Sequence, residues 1–322
     1  MKISVTVRLD RPLTEAAEIA RRAEELGFSG VWVADHYFHR DATGALALMA
    51  AATNQVTLGT AVTSPLLRHP ALLASTAASL TEVSDGRFIL GLGAGGYEFG
   101  SELGLPIRRP LGLTRETVNI VRSLANGTTT VEGDTFAVTG AGLRFQASAA
   151  PVYLAARGPK MLRLAGEVSD GVITHGLSAA HIRFVTDQLD AAESGRRPQV
   201  VLMLDVQVDN DRDRAVDALR GRCLTMAGGS YADELIEIYG LDPDAVARLR
   251  AAVRSGDRAT ATALVTDDMV DAFAIGGSPA HLADRLSELD DLAVDEVILS
   301  TDGGDLDSAT NNLTELAKAV IR

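Results

Sequence analysis

Short apolar runs alternate along this chain with longer segments of helical periodicity. The runs are rich in Val, Ile and Leu, and eight of them stand out, at Ile3–Val7, Val31–Ala34, Val56–Val62, Phe88–Leu92, Val152–Ala156, Gly171–Thr174, Val200–Val206 and Val294–Leu299. This alternation is typical of successive βα units with a parallel sheet. Eight such strands favour a closed barrel over an open sheet, so we predict the α/β class and a (β/α)8 TIM barrel.

The segments between the runs supply the crossover helices. In the first of them the apolar residues share one helical face, at Leu13, Ala16, Ile19, Ala23 and Leu26. Gly27 then suits the helix end. The same pattern predicts further helices at Ala71–Val83 and Leu113–Leu124.

Two segments depart from this rhythm. Thr128–Phe145 is predicted to form a β-hairpin excursion with its turn at Glu132–Asp134. Tyr231–Asp271 has a helical composition but is too long for an ordinary connection, so we interpret about residues 230–271 as a helical insertion. Such an insertion either shapes the substrate pocket or is a solvated decoration. We expect residues 1–322 to form one domain.

Composition and charge narrow the class of protein. Hydrophobic residues make up 46% of the chain and the formal net charge is −13, which disfavours binding to nucleic acid or an anionic membrane. Cys223 is the single cysteine, so we predict no disulfide, no cysteine-based metal site and a cytoplasmic location. The charged start of the chain does not resemble a signal peptide, and no apolar run is long enough to span a membrane.

Chemistry in a barrel of this class belongs just after the carboxyl ends of the strands. Asp35 and His36 directly follow the second run. A histidine there can transfer a proton near neutral pH, and a neighbouring carboxylate can fix its tautomer or raise its pKa. Alternatively, Asp35 caps a loop and His36 packs passively.

The next two strand ends carry small and hydroxyl side chains. Gly59, Thr60 and Ala61 let a planar ring approach the backbone, and Thr63 and Ser64 add hydroxyls. The TSP triplet is also compatible with a plain strand-to-helix turn. After the fourth strand the glycine-rich segment GLGAGGYEFG exposes backbone N–H groups, which is a weak signal for phosphate or ring binding.

The fifth strand leads into a more specific anion site. A helix is predicted to begin at Gly158–Pro159, so its free N–H groups and the side chains of Arg157 and Lys160 are placed to hold a phosphate.

Five segments in order resemble the luciferase-like superfamily over nearly the whole chain. They are ADHYFHRD, LGTAVTSPLLRHPALLAST, DGRFILGLGAG, PVYLAARGPKMLRLAGEVSDGVI and FAIGGSPAHLADRL. The similarity is strongest to the branch that uses the deazaflavin coenzyme F420 and includes methylenetetrahydromethanopterin reductase.

The resemblance implies a cofactor in the barrel mouth. Asp35, His36, Ser64, Ala94 and Gly95 fall on cofactor-contact positions of the family. The phosphate is implied to lie at Ala156–Met161, that is at Ala156, Arg157, Gly158, Lys160 and Met161. A non-prolyl cis peptide is implied at Ala61–Val62, and His36 matches a position of proton transfer. Sugar-phosphate dehydrogenases of the family carry a catalytic glutamate where this chain has Gly96, which argues against that activity; we do not assign the role to the nearby Glu98.

The functional prediction is therefore an oxidoreductase that moves a hydride between reduced F420 and an electrophilic carbon of a small substrate, such as an iminium carbon or an activated C=C bond. Asp35 and His36 are its predicted catalytic residues, and no metal is expected. Alternatives are an FMN-dependent monooxygenase of the same superfamily and a non-catalytic flavin-binding homologue. The resemblance also implies a homodimer.

Overall fold

The computed structural model describes residues 1–95, 103–105, 108–192, 194–229, 233–301 and 304–321. Parallel strands form a closed ring in the order β1 (Lys2–Thr6), β2 (Gly30–Val33), β3 (Thr57–Thr60), β4 (Phe88–Leu92), β7 (Val152–Ala155), β8 (Gly171–Thr174), β9 (Gln199–Val208) and β11 (Glu296–Ser300). β11 pairs with β1 and so closes the ring. The predicted TIM barrel is confirmed, with strand ends that differ by a few residues.

Helices cover the outside of the barrel. Those of the barrel wall are α1 (Leu13–Glu25), α2 (Ala42–Ala52), α3 (Pro70–Val83), α4 (Pro110–Ala125), α5 (Pro159–Val168), α6 (Ala179–Asp190), α7 (Arg212–Gly228), α12 (Pro279–Ser287) and α13 (Leu306–Val320). The three crossover helices predicted from periodicity are present. Among the described residues, no helix is long and apolar enough to cross a membrane.

The predicted hairpin is present as an antiparallel pair, β5 (Thr129–Val131) and β6 (Val138–Ala141). Its connection is wider than the predicted turn and covers residues 132–137. The carboxylate of Glu116 in α4 explains this width, because it accepts the backbone N–H groups of three residues of the connection at 3.0–3.1 Å. These bonds fasten the hairpin to the barrel wall.

The insertion is helical as predicted and carries α8 (Glu234–Ile238), α9 (Pro243–Ser255), α10 (Arg258–Ala263) and α11 (Asp267–Phe273). It ends in a strand that the sequence pattern missed, β10 (Ala274–Gly277), which pairs with the second half of β9. Four residues with two glycines show no strand periodicity, which is why β10 was not predicted. The helices share an apolar core with α7 rather than with the barrel interior.

The predicted third strand, Val56–Val62, is longer than the observed β3. The ladder stops at Thr60, the Ala61–Val62 peptide is cis as the resemblance implied, and Thr63 forms an isolated bridge with Leu92. Side chains of Trp32, Tyr153, Ile173, Val201 and Ile298 fill the barrel interior. This interior forms the floor beneath the strand ends.

Glu24 of α1 fastens the entry to β3. Its carboxylate accepts the backbone N–H groups of Asn54, Gln55 and Val56 at 2.6–3.0 Å. Burial acts to raise the pKa of Glu24, but these bonds outweigh it and hold the pKa below the ordinary value. The stabilisation is therefore complete above the ordinary glutamate pKa and is lost as the pH falls through the lowered one.

We expect Glu24→Gln to lower the free energy of unfolding at pH 7 by about 1 kcal/mol, because the amide replaces a charged acceptor. The difference from the wild type should shrink in acid, as the pH falls through the lowered pKa of Glu24 and the native carboxylate gains its proton. Urea unfolding at pH 7 and over a series of acidic pH values measures this, with exposed Glu25→Gln as the control. An equal loss for both variants would contradict the assignment.

Candidate active site

A pocket of about 280 Å³ opens at the carboxyl ends of β2, β3, β4 and β7. Its described lining is mostly apolar and consists of Asp35, His36, Tyr37, Val62, Thr63, Ser64, Leu66, Leu67, Gly93, Ala94, Gly95, Leu103, Leu105 and Ala155. Six of the predicted cofactor residues line it: Asp35, His36, Val62, Ser64, Ala94 and Gly95. The sequence pattern did not predict the leucines of this wall, because they show no periodicity of their own. They are Leu66, Leu67, Leu103 and Leu105.

Small residues create the space of the pocket. A Cβ atom at Gly93 would lie 2.8 Å from Cγ2 of Val62, so a larger residue there would push into the wall. Ala94, Gly95 and Ala155 continue the lining with little side-chain volume. The wall on this side is therefore largely backbone, which a flat ring can approach closely.

Asp35 is fixed at the rim of the pocket. Its Oδ2 accepts hydrogen bonds from Thr63 Oγ1 at 2.7 Å and from Arg68 Nε at 3.0 Å, and its side chain is 9% exposed. The backbone N–H of Asp35 also donates to the carbonyl of Val62 at 3.3 Å. The carboxylate is thus held by the segment that follows β3.

Arg68 joins this carboxylate to a second one. Its Nη2 donates to Asp41 Oδ2 at 2.5 Å, while Asp41 Oδ1 caps α2 by accepting the N–H of Gly44 at 2.8 Å. The hydrogen bond to Asp35 is the main reason that the pKa of Arg68 is raised. Burial opposes ionisation of Asp41, but the bond from Arg68 brings its pKa below the ordinary value. The loop of residues 35–41 is consequently clamped at both ends, and sequence reasoning missed Arg68 because its partners lie about 30 residues away.

His36 lies in the middle of the clamped loop. Its Nδ1 is 2.9 Å from the carbonyl oxygen of Tyr37, and its ring stacks on that of Tyr37 with centroids 5.2 Å apart. A carbonyl can only accept, so Nδ1 donates and a neutral ring carries its lone pair on Nε2. The tautomer is therefore set by a backbone carbonyl, whereas the sequence had pointed to Asp35, whose Oδ2 is taken up by Thr63 and Arg68.

The predicted phosphate segment lies beside the pocket rather than in its wall. Among residues 156–161, Ala156 is buried, Lys160 is exposed, and the others are partly exposed. α5 begins at Pro159 as predicted, and its N-cap, Gly158, provides no side-chain hydrogen bond and has nothing within 4 Å of a built Cβ. The space beside Gly158 is therefore open, although the N–H of Met161 already donates to the Gly158 carbonyl at 3.1 Å. Arg157 donates to the carbonyl of Met226 at 3.1 Å at the end of α7.

Ala61, the remaining predicted cofactor residue, is buried among the barrel-interior side chains directly below Val62. Gly96 and Glu98, which bear on the sugar-phosphate comparison, lie outside the described residues.

Comparison with known proteins gives consistent results. The family model described as luciferase-like monooxygenase matches residues 2–296. A 5,10-methylenetetrahydromethanopterin reductase from Methanolobus tindarius is 37% identical over 294 residues, covering 89% of this chain and 90% of the relative. An F420-dependent glucose-6-phosphate dehydrogenase from Nakamurella multipartita is 33% identical over 232 residues, covering 64% of this chain and 67% of the relative. The structure of coenzyme F420 dependent tetrahydromethanopterin reductase from Methanopyrus kandleri superposes with a TM-score of 0.86 at 28% identity, covering 99% of this chain and 98% of that one.

Proposed function

The chain belongs to the luciferase-like monooxygenase family, and on that premise we propose that it is a coenzyme F420-dependent oxidoreductase acting on an electrophilic carbon of a small substrate. The observation that carries the proposal is the apolar pocket at the strand ends, with Asp35 and His36 at its rim. The chain is also 37% identical to a 5,10-methylenetetrahydromethanopterin reductase and superposes on a coenzyme F420 dependent tetrahydromethanopterin reductase. Imines, iminium ions and activated C=C bonds are the substrate class.

The described residues fit a deazaflavin. The pocket offers a cavity of about 280 Å³ with apolar and backbone walls, which suits a planar ring rather than a whole cofactor with its tail. Beside it, the uncapped N-terminus of α5 and the exposed side chain of Lys160 supply donors for a phosphate. When bound, the reduced deazaflavin supplies the hydride.

The protein side of the reaction is positioning and proton transfer. Asp35, held by Thr63 and Arg68, is a fixed acceptor at the pocket rim. His36, with Nδ1 held by the Tyr37 carbonyl, presents Nε2 as the atom that gives or takes the proton accompanying the hydride. Leu66, Leu67 and Leu103 exclude water from the pocket.

Anaerobic assay of reduced F420 with a panel of cyclic imines and activated alkenes tests this proposal. We expect deazaflavin oxidation only when an electrophile is present, and no oxygenated product in a parallel assay in air. The family also contains monooxygenases, so an oxygenated product formed in air with reduced FMN would instead establish an FMN-dependent enzyme. Binding of either cofactor without turnover of any substrate would favour a non-catalytic homologue.

Arg68 should matter for cofactor affinity although it does not line the pocket. We expect Arg68→Met to weaken F420 binding about tenfold, because Asp35 loses a charge-assisted bond and the loop of residues 35–41 loses its clamp. Arg68→Lys should recover only part, since an ammonium cannot reproduce the guanidinium fork. Anaerobic titration measures both, with exposed Arg40→Met as control. Unchanged affinity in Arg68→Met would refute the clamp.

A homodimer through α2 and α3 is part of the proposal. Their exposed positions are Leu48, Ala51, Leu72, Ser79, Glu82 and Val83, with Glu82 the single charge. Two copies of net charge −13 repel each other at long range, so contact costs least on a face with few charges. We therefore expect a second copy to bury the apolar side chains of this face of α2 and α3.

We expect the double variant Leu48→Asp, Leu72→Asp to sediment as a monomer while the wild type sediments as a dimer. Placing a carboxylate on each helix adds two negative charges per copy to a desolvated face, and the resulting four added charges across the symmetric contact oppose association. Ala180→Asp, which adds a carboxylate at an exposed position of α6, is the control. A wild-type monomer, or a dimer that survives both substitutions, would exclude this interface.

Residues 1–322 acting as one catalytic domain, and a cytoplasmic location, complete the proposal; the single cysteine supports the latter.

A further inference from the structure

The ends of β8, β9 and β11 form the half of the barrel mouth that the proposed cofactor pocket does not occupy. Alternate residues of a strand share a face, so residues that follow the interior side chains by an even number also point inward. Ile173, Val201 and Ile298 lie in the interior. Asp205 of β9 and Ser300 of β11 therefore form a polar layer above them, together with His175, which directly follows β8.

His175 has a defined orientation in this layer. Its Nδ1 lies 2.9 Å from the carbonyl oxygen of Met203 on the neighbouring strand. Since the carbonyl accepts, Nδ1 carries the proton and Nε2 carries the lone pair. Among the described residues nothing donates to Nε2, and the side chain is only partly buried.

The surroundings keep the imidazole neutral. Burial lowers the pKa of His175 to about 4, and the nearby Arg157 acts in the same direction, while Asp205 and the Met203 carbonyl oppose them. Asp205 is itself paired with Arg222, which also donates to the carbonyl of Ser300 at 2.7 Å. His175 thus stays a neutral acceptor at physiological pH.

Tyr239 of the insertion holds the backbone of His175 in place. Tyr239 donates its hydroxyl to the backbone carbonyl of His175 at 3.3 Å, and its ring packs on that of His181 with centroids 5.0 Å apart. On the other side, Ala155 of the pocket wall pairs in register with Ile173, two residues before His175. His175 therefore follows the strand that pairs with the strand of Ala155 in the pocket wall.

Resting on the proposed function, we infer that His175 is a specificity-determining residue whose Nε2 accepts a hydrogen bond from the substrate. The barrel mouth is then divided between two ligands: the half formed by β2, β3, β4 and β7 takes the cofactor, and the half formed by β8, β9 and β11 takes the substrate. Preferred substrates carry an N–H or O–H donor, and analogues without that donor leave Nε2 unpaired and bind less well.

Kinetics of two variants test the inference, with reduced F420 and 5,10-methylenetetrahydromethanopterin as the probe. His175→Leu should raise KM for the probe about tenfold to hundredfold, because the donor of the probe loses its acceptor. His175→Gln, which restores an acceptor oxygen, should stay within about threefold of the wild type. F420 affinity should be unchanged in both; a fall in F420 affinity that matches the kinetic loss, or full activity of His175→Leu, would overturn the inference.

Nitrogen-15 NMR of histidine-labelled holoprotein gives a readout that needs no turnover. We expect His175 to remain neutral with its proton on Nδ1 from about pH 8 to pH 5, and the Nε2 resonance to shift when the probe binds. A proton on Nε2, or ordinary titration near pH 6.5, would refute the assignment. Failure of the wild type to bind F420 would reject the proposed function instead, and the NMR result would still decide the state of His175.

Discussion

Replacing His36 by alanine should slow turnover by about 10²- to 10⁴-fold while F420 affinity changes by less than about threefold. The ring lines the pocket, and Nδ1 is committed to the Tyr37 carbonyl, so Nε2 is its proton-transfer atom. Alanine removes that atom but leaves the clamp between Asp35, Arg68 and Asp41 in place. The pocket should therefore still bind the cofactor.

Steady-state kinetics and an anaerobic F420 titration on the same preparation separate the two effects. His39→Ala is the matched control, since His39 is an exposed neighbour with its ring centroid 4.7 Å from that of His36 and does not line the pocket. We expect its turnover to stay near the wild-type value. Equal losses of turnover and affinity in His36→Ala would make His36 a binding residue only.

Gly91→Ala should prevent folding or cost more than about 4 kcal/mol of unfolding free energy. A Cβ atom at this position would lie 1.9 Å from the carbonyl oxygen of Thr60 on the adjacent strand. Thr60 also exchanges hydrogen bonds with Gly91 through its hydroxyl, at 2.7 and 2.9 Å. Relief of the clash would thus separate β3 from β4 and open the barrel below the pocket.

Soluble yield and urea unfolding measure this effect. Gly221→Ala is the control, because Gly221 lies inside α7 and its built Cβ meets only Thr262 Cγ2 at 3.9 Å. Alanine there should be neutral or stabilising by about 0.5–1 kcal/mol. A Gly91→Ala protein as stable as the wild type would contradict the strand packing described above.

The barrel could be predicted because its signal is local and repeated. Each strand of the ring is an apolar run such as Phe88–Leu92, and the first crossover helix shows a clear helical periodicity. β10 was missed because AIGG has neither length nor alternation, and it exists only because the long β9 offers it an edge. The formation of β10 therefore depends on tertiary pairing with β9, which the local sequence pattern does not show.

The residues of the site, likewise, could be predicted from the sequence only in part. Asp35 and His36, which line the pocket, could be predicted as candidates because catalytic residues of such barrels follow the strands. Their partners were not, because Arg68 reaches Asp35 across 33 positions and His175 is oriented by Met203 across 28 positions of sequence. His36 Nδ1 donates to the backbone carbonyl of Tyr37 and not, as the sequence had suggested, to Asp35. Loop geometry, rather than adjacency in sequence, decides which atoms form the hydrogen bond.

The most direct test of the central claim is an anaerobic titration with F420 and, separately, with FMN. The wild type and two variants are compared: Ala94→Trp, which fills the pocket, and Ala180→Trp on an exposed face of α6 as control. We expect the wild type and the control to bind F420 more tightly than FMN, and Ala94→Trp to lose F420 binding. Preference for FMN, or undiminished F420 binding by Ala94→Trp, would contradict the account.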